Sequence, residues 1–223
     1  NGLMKTKSIF SGKAIAGLGS AKCTNEEAFL FQKLMRQVFN TNNVDHCTRL
    51  CHASSVAALM EGIGSGAVTI PFTAAEDSEC IILIGANPEK NHPVASTFLK
   101  NAAKKGTKLI VLDVVKQNLM RHASHGLVFH PGTDVSLLNA MIYTIIEEEL
   151  YNKEYIKTFT EGFEDLKSSI KLYSPEKMEK ICKVSSEHIR EIARVYSKSS
   201  KSIIFWGMGI SQHIHGTDNA RCL

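Results

Sequence analysis

The sequence predicts an α/β fold built on a doubly wound, mostly parallel β-sheet. Four short runs of apolar and β-branched residues have the length and character of buried strands. Amphipathic helical patterns lie between these runs, and such an alternation is typical of parallel sheets that helices cover on both faces. The predicted strands occupy residues 80–84, 109–112, 127–129 and 202–206.

The helices are predicted from apolar spacing and from the signals at their ends. Thr24 and Glu27 have the spacing of a capping box, and apolar residues then recur at helical spacing, which predicts a helix over 25–39. Pro93 suits the first turn of a helix over 92–105. Further helices are predicted over 53–61, 135–150, 152–158, 162–171 and 185–199.

Glycines, amides and carboxylates follow the predicted strands, at 85–88, 113, 130–134 and 207–212. Ligands of doubly wound sheets bind at the carboxyl ends of the strands, and glycine lets the backbone approach a bulky ligand. The composition therefore predicts a nucleotide-binding edge, although single glycines could mark only turns and Asp134 could be only a helix N-cap. The sequence contains neither a P-loop lysine motif nor a G-x-G-x-x-G motif that opens a helix, so it does not indicate ordinary ATP or NAD binding.

The composition narrows the class of protein. A formal charge of +4 is too small for a dedicated nucleic-acid binder, and no apolar run approaches the length of a membrane span. The six cysteines are widely spaced, which favours reduced thiols in the cytoplasm over a disulfide scaffold. The chain of 223 residues begins without Met, so we expect a fragment of a longer protein. The lysines at 100, 104 and 105 are expected on a solvated helix face.

Two thiols and two imidazoles, at His46, Cys47, Cys51 and His52, lie within seven residues. They could form half of a zinc site, but no second pair with matching spacing follows. Cys47 is expected in the core. Cys51 is expected at the start of a helix, where unpaired N–H groups stabilise a thiolate, with an adjacent imidazole to move protons.

The same segment resembles the metal-ligand segment of molybdopterin-dependent formate dehydrogenases, within the molybdopterin oxidoreductase superfamily. Residues 43–52 read NVDHCTRLCH, followed by SSV at 54–56 and GSGA at 64–67. The resemblance continues in order through GANP at 85–88, HP at 92–93, GTD at 132–134, LLNAM at 137–141 and WGMGISQ at 206–212. It thus covers nearly the whole chain.

The resemblance implies a catalytic (alpha) subunit and a role for each matched residue. Cys51 would be the ligand of molybdenum or tungsten, and His52 would accept or relay a proton as formate becomes carbon dioxide. The fold would be the Rossmann-like dinucleotide-binding domain of this family, at 46–223, after the tail of a preceding α/β domain at 1–45. The dinucleotide would be held by Gly85, Asn87, Asp113, Gly132, Asp134, Gly207, Met208 and Gln212.

The resemblance also implies parts that this chain lacks. The full cofactor would be bis-molybdopterin guanine dinucleotide, with a 4Fe-4S cluster before Asn1 and a formate-binding arginine beyond Leu223, so the fragment alone is expected to be inactive. An iron–sulfur or flavin subunit would take the electrons, and neither nucleic acid nor membrane would be contacted. Relatives often carry Pro-Arg after the aspartate, where this chain has Val114 and Val115, so a cationic contact is expected to be lost.

Other functions remain open at the level of sequence. Nitrate reductases that have a cysteine ligand typically carry methionine in the place of His52, so a protic residue there favours formate over nitrate. Formylmethanofuran dehydrogenases also resemble this segment. A non-catalytic nucleotide-binding or zinc-binding module is the alternative from a different class.

Overall fold

The computed structural model describes residues 2–223. The chain divides into two compact units, Asn1–Ala53 and Ser54–Leu223. The assignment of 1–45 and 46–223 to two domains of the parent stays a prediction. Within residues 2–223, no helix is long and apolar enough to cross a membrane.

The first unit is built around a short parallel strand pair. Gly17 of strand β1 is opposite Val44 of strand β2. A small core of Ile15, Met35 and Phe39 packs beside the pair. The capping box of Thr24 and Glu27 is confirmed, and the helix it opens continues as one π-helical segment, Leu34–Val38. The elements of this unit are α1 (Gly2–Phe10), β1 (Gly17–Gly19), α2 (Asn25–Lys33), β2 (Val44–His46) and α3 (Thr48–Cys51).

The second unit contains a four-stranded parallel sheet, which confirms the predicted fold class. The strands lie side by side in the order β5-β4-β3-β6. Along the sequence, β4 and then β5 are added on one side of β3, and β6 is added on the other side of β3. All three pairings are parallel. The strands are β3 (Cys80–Ile84), β4 (Lys108–Asp113), β5 (His125–Val128) and β6 (Ser202–Trp206).

Helices cover both faces of this sheet, which is why its central strands are apolar throughout. Alternate residues of β3 and β4, including Ile82 and Ile110, pack against α7, α10 and α11. The residues between them, including Ile81 and Leu109, pack against α6 and the 3-10 helix Phe72–Asp77. The helices are α4 (Ala53–Ile63), α5 (Pro88–Asn91), α6 (Pro93–Lys104), α7 (Asp134–Glu147), α8 (Lys153–Phe159), α9 (Phe163–Ser169), α10 (Pro175–Cys182), α11 (Ser186–Ser197), α12 (Met208–Ser211) and α13 (Gly216–Arg221).

The turns after β3 and β6 pack against each other at the point where the strand order reverses. Ile84 and Trp206 are paired in register, so the two turns begin side by side. The Gly209 N–H donates to the Gly85 carbonyl oxygen at 2.9 Å. Gly85 has a φ of +56°, and a Cβ on it would lie 2.9 Å from the backbone of Gly209. Glycine is required here because one backbone contacts another.

We predict that Gly85→Ala lowers the free energy of unfolding by about 2–4 kcal/mol, because it adds steric overlap to left-handed strain. Gly162→Ala is the matched control, since Gly162 has a φ of +71° but no described atom within 4 Å of an added Cβ. The control should cost only about 1 kcal/mol. Urea denaturation of both variants measures the difference, and equal losses would contradict the role of the turn contact.

Candidate functional site

Cys51 is the last residue of α3, and its N–H donates to the Cys47 carbonyl oxygen at 2.9 Å. The helix predicted over 53–61 is α4, Ala53–Ile63, and it begins two residues after Cys51. Stabilisation of a Cys51 thiolate by N–H groups at the start of α4 stays a prediction. His52 alone separates α3 from α4, and both Cys51 and His52 are half-buried. The His52 Nδ1 atom is buried and has no hydrogen-bond partner among residues 2–223.

The neighbouring His46 and Cys47 have local partners. His46 Nδ1 accepts from the Thr48 N–H at 3.1 Å, and Cys47 Sγ accepts from the Ala21 N–H at 3.2 Å. Cys47 is exposed, so its expected place in the core is wrong. Within residues 2–223, no three His, Cys, Asp or Glu side chains are grouped so that they could hold a metal ion. The six cysteines are not joined in disulfides in the described part of the chain.

Asp113, at the end of β4, is buried and held by this chain through both carboxylate oxygens. The Val115 N–H donates to Oδ1 at 3.1 Å, and Gln117 Nε2 donates to Oδ2. The same Gln117 amide donates to the Ala86 carbonyl oxygen at 2.9 Å and so joins the ends of β3 and β4. Sequence reasoning missed Gln117, because a polar residue in a loop carries no periodic signal that reveals its burial.

Asp134 differs from Asp113 in having an oxygen without a partner. It is the first residue of α7 and is only 2% exposed, and its Oδ2 has no hydrogen-bond partner in the described part of the chain. The N-cap is Thr133 rather than Asp134. Burial raises the pKa of the Asp134 carboxyl, and the charge of Asp113 adds to the rise. The carboxylate is therefore placed where a ligand that donates a hydrogen bond would stabilise it.

A cavity of about 560 Å³ lies beyond the ends of β3 and β4. Its lining includes Asn87 and three lysines, Lys90, Lys100 and Lys116. The Lys100 side chain is 27% exposed and pairs with Glu89 at 2.5 Å, so it is half-buried on the helix face that was expected to be solvated. Lys104 and Lys105 are exposed as expected. The cavity is suited to an anionic group.

The remaining candidate residues lie in the turns at the other strand ends. Gly132 has a φ of +76° in the turn before α7. Gly207 precedes the short helix α12, which starts at Met208, and the Gln212 N–H donates to the Met208 carbonyl oxygen at 2.9 Å. The sheet thus brings the candidate residues of the second unit to its carboxyl edge. Cys51 and His52 belong to the first unit.

Comparison with known proteins identifies the family. The family model described as "Molybdopterin oxidoreductase" matches residues 4–223. The chain belongs to the molybdopterin oxidoreductase family. A family member of this kind is expected to bind a molybdopterin cofactor that carries molybdenum or tungsten.

Relatives of this molybdopterin oxidoreductase include enzymes named formate dehydrogenase. It is 42% identical to the "F420-dependent formate dehydrogenase subunit alpha" of Methanocaldococcus jannaschii over 94% of this chain. It is 37% identical to "Formate dehydrogenase H" of Escherichia coli over 99% of this chain. In both comparisons it spans 31% of the relative's length.

A solved structure shares the fold of nearly the whole chain. Acetylene hydratase from Pelobacter acetylenicus superimposes with a TM-score of 0.83 at 26% sequence identity. The superposition covers 99% of this chain and 30% of the hydratase.

We predict that Asp134→Asn stabilises the ligand-free chain at neutral pH by roughly 1 kcal/mol, the scale of a buried polar group without a partner. The folded chain raises the carboxyl pKa above its usual 3.8. Below pH 3.8 the carboxyl is protonated in both the folded and the unfolded chain, and the full stability is present. As the pH rises through the folded pKa, the buried carboxyl becomes charged and this stability is lost. Thermal melts should show the gain at pH 7 and none below pH 3.8.

The exposed Asp77 provides the control, because Asp77→Asn removes an acid of the same type from solvent. The interpretation of Asp134 as a destabilising buried carboxylate fails if the two variants change the melting temperature equally at pH 7.

Proposed function

We propose that this chain is part of the catalytic subunit of a formate dehydrogenase, which oxidises formate reversibly to carbon dioxide. The observation that carries the proposal is identity of 37–42% to two enzymes with that name, over at least 94% of the chain. The activity belongs to the longer parent protein, since the relatives' chains are about three times as long.

The proposed roles of Cys51 and His52 follow from their chemistry and their place in the chain. Cys51 supplies a thiolate to molybdenum or tungsten, and a soft sulfur ligand suits a metal that dithiolenes already hold. When bound, the metal and its pterins supply the two-electron redox chemistry. His52 accepts the proton of formate oxidation at Nδ1, the buried ring nitrogen that no described group contacts by a hydrogen bond.

The sheet edge suits a guanine dinucleotide in two respects. The free oxygen of the buried Asp134 can accept from a donor on the guanine edge, which would offset its desolvation. The lysines of the cavity beside Asn87 can face the phosphates, and Lys116 supplies a cation one residue after Val115. Gly85, Asp113, Gly132, Gly207, Met208 and Gln212 complete the proposed set around this edge.

The wider setting is proposed on the same basis. Residues 46–223 form the dinucleotide-binding domain, and 1–45 end the domain before it. The cofactor is bis-molybdopterin guanine dinucleotide, and a 4Fe-4S cluster elsewhere in the parent passes electrons to an iron–sulfur or flavin subunit. Six cysteines without a disulfide among them suit a reducing compartment, so we propose that the parent is cytoplasmic.

The test uses the full-length parent, purified anaerobically from its own host. We expect about one molybdenum or tungsten atom per chain and reduction of a redox dye with formate. Reduction of the dye with formylmethanofuran, or reduction of nitrate with a reduced dye, would show that the substrate is not formate. The family's redox chemistry would still hold. An intact preparation that holds only zinc and binds an ordinary nucleotide would overturn the proposal.

We predict that Cys51→Ala and His52→Gln in the parent lose activity for different reasons. Cys51→Ala removes a metal ligand, so the metal's X-ray absorption spectrum should lose a sulfur contribution and formate turnover should fall to background. His52→Gln should lower turnover about 100-fold with metal content unchanged, because it removes only the proton acceptor.

Cys47→Ala is the matched control, because Cys47 is an exposed thiol in the same segment. It should leave both spectrum and turnover near those of the wild type. Near-normal turnover of Cys51→Ala would refute the ligand role, and metal loss in His52→Gln would make His52 structural.

A further inference from the structure

We propose that a hydrogen-bonded chain of Trp206, Ser55 and Ser211 positions the Cys51–His52 segment for catalysis. Ser55 lies in the first turn of α4, Trp206 ends β6, and Ser211 ends α12. The three side chains therefore join the start of α4 to the turn after β6. The inference rests on the proposed roles of Cys51 and His52 and adds residues that support them from outside the site.

The hydrogen bonds among Trp206, Ser55 and Ser211 are buried or partly buried. The Trp206 indole Nε1 donates to Ser55 Oγ at 3.1 Å, and Ser55 Oγ lies 2.6 Å from Ser211 Oγ. Ser55 is 2% exposed and Ser211 is 6% exposed. A parallel bond runs from Ser54 Oγ to the Ser211 carbonyl oxygen at 2.6 Å. Two adjacent residues of α4 are thus bonded to one residue of the turn.

Ser55 is the residue that the two side-chain hydrogen bonds share. An indole nitrogen can only donate, so Ser55 Oγ accepts from Trp206. In the bond between Ser55 and Ser211 either hydroxyl can be the donor. With either donor, removal of the Ser55 hydroxyl breaks both bonds.

The turn that receives these bonds is closely packed against α13. A Cβ on Gly216 would lie 2.2 Å from the Ser211 carbonyl oxygen and 2.8 Å from Ser54 Oγ. Asn219 of α13 donates from Nδ2 to the Ile210 carbonyl oxygen at 3.1 Å. Since the turn is held from the side of α13 as well, it provides a firm support for the start of α4.

The support reaches the proposed metal ligand through the backbone. α3 ends at Cys51, α4 begins at Ala53, and His52 is the one residue between the two helices. A change at the start of α4 therefore alters the backbone from which the Cys51 thiolate and the His52 imidazole extend. Ser55 and Trp206 act as positioning residues, because neither is proposed to touch formate or the metal.

The test uses the metal-loaded, full-length parent with Ser55→Ala, Trp206→Phe and the double variant. We expect each single variant to lower kcat about tenfold with KM for formate within about twofold, since a small misplacement affects the transition state most. The EPR signal of the pentavalent metal should shift in each. The double variant should be no worse than Ser55→Ala, because one break already interrupts the chain. Ser55→Thr retains the hydroxyl and should restore kcat and spectrum.

Ser197→Ala is the matched control, because the Ser197 hydroxyl donates only within its own helix, to the Ala193 carbonyl oxygen at 2.8 Å. It should leave the metal spectrum unchanged.

An unaltered spectrum and kcat in folded Trp206→Phe and Ser55→Ala would overturn the inference, as would fully additive losses in the double variant. If Ser55→Ala does not fold, Trp206→Phe decides the question. A parent with no formate activity refutes the proposed function, and the spectra then decide the positioning role separately.

Discussion

The contact between the turns after β3 and β6 is the constraint on which the candidate site depends. β3 is the central strand, and β6 reaches it only after the chain has built the other side of the sheet. The bond from Gly209 to Gly85 brings the two turns within backbone contact distance. No side chain fits between the two turns, so Gly85 and Gly209 fix their spacing at the carboxyl edge of the sheet, where the strand order reverses.

The two aspartates at this edge are both buried, but they differ in whether the protein supplies hydrogen bonds to their oxygens. Asp113 accepts from Val115 and Gln117, so the protein itself compensates much of its desolvation. Asp134 is more deeply buried and has an oxygen to which no described group donates a hydrogen bond. The sequence places both aspartates at strand ends, and only the fold distinguishes the residue that is already held from the residue that is available.

The sheet was largely predictable from the sequence because two covered faces require continuous apolar strands. Strands β3, β4 and β6 have that pattern, and their predicted bounds nearly match the structure. Strand β5 alternates in burial, and its predicted start at residue 127 lies two residues after the observed start at His125. Helix α10 was missed, although Pro175 opens it and Met178 and Cys182 share its buried face, because the segment is short and half of its residues are charged.

The polar details of the site were less predictable, because they depend on contacts distant in sequence. Lys100 is half-buried beside Glu89, and the buried Gln117 donates to the carbonyl oxygen of Ala86. Exposed Cys47 and half-buried Cys51 belong to the same short segment, and no periodicity separates them. Motifs located the candidate residues, but the partners of each residue required the fold.

The strand order also has a consequence for how the chain folds. β3 pairs with β4 across a short connection, but its pairing with β6 closes a loop from Gly85 to Lys201. Closing a loop of that length costs more chain entropy than local pairing does. The edge at which Gly85 meets Gly209 exists only when β6 is paired with β3. A ligand that binds at this edge therefore also stabilises the pairing of two strands that are distant in sequence.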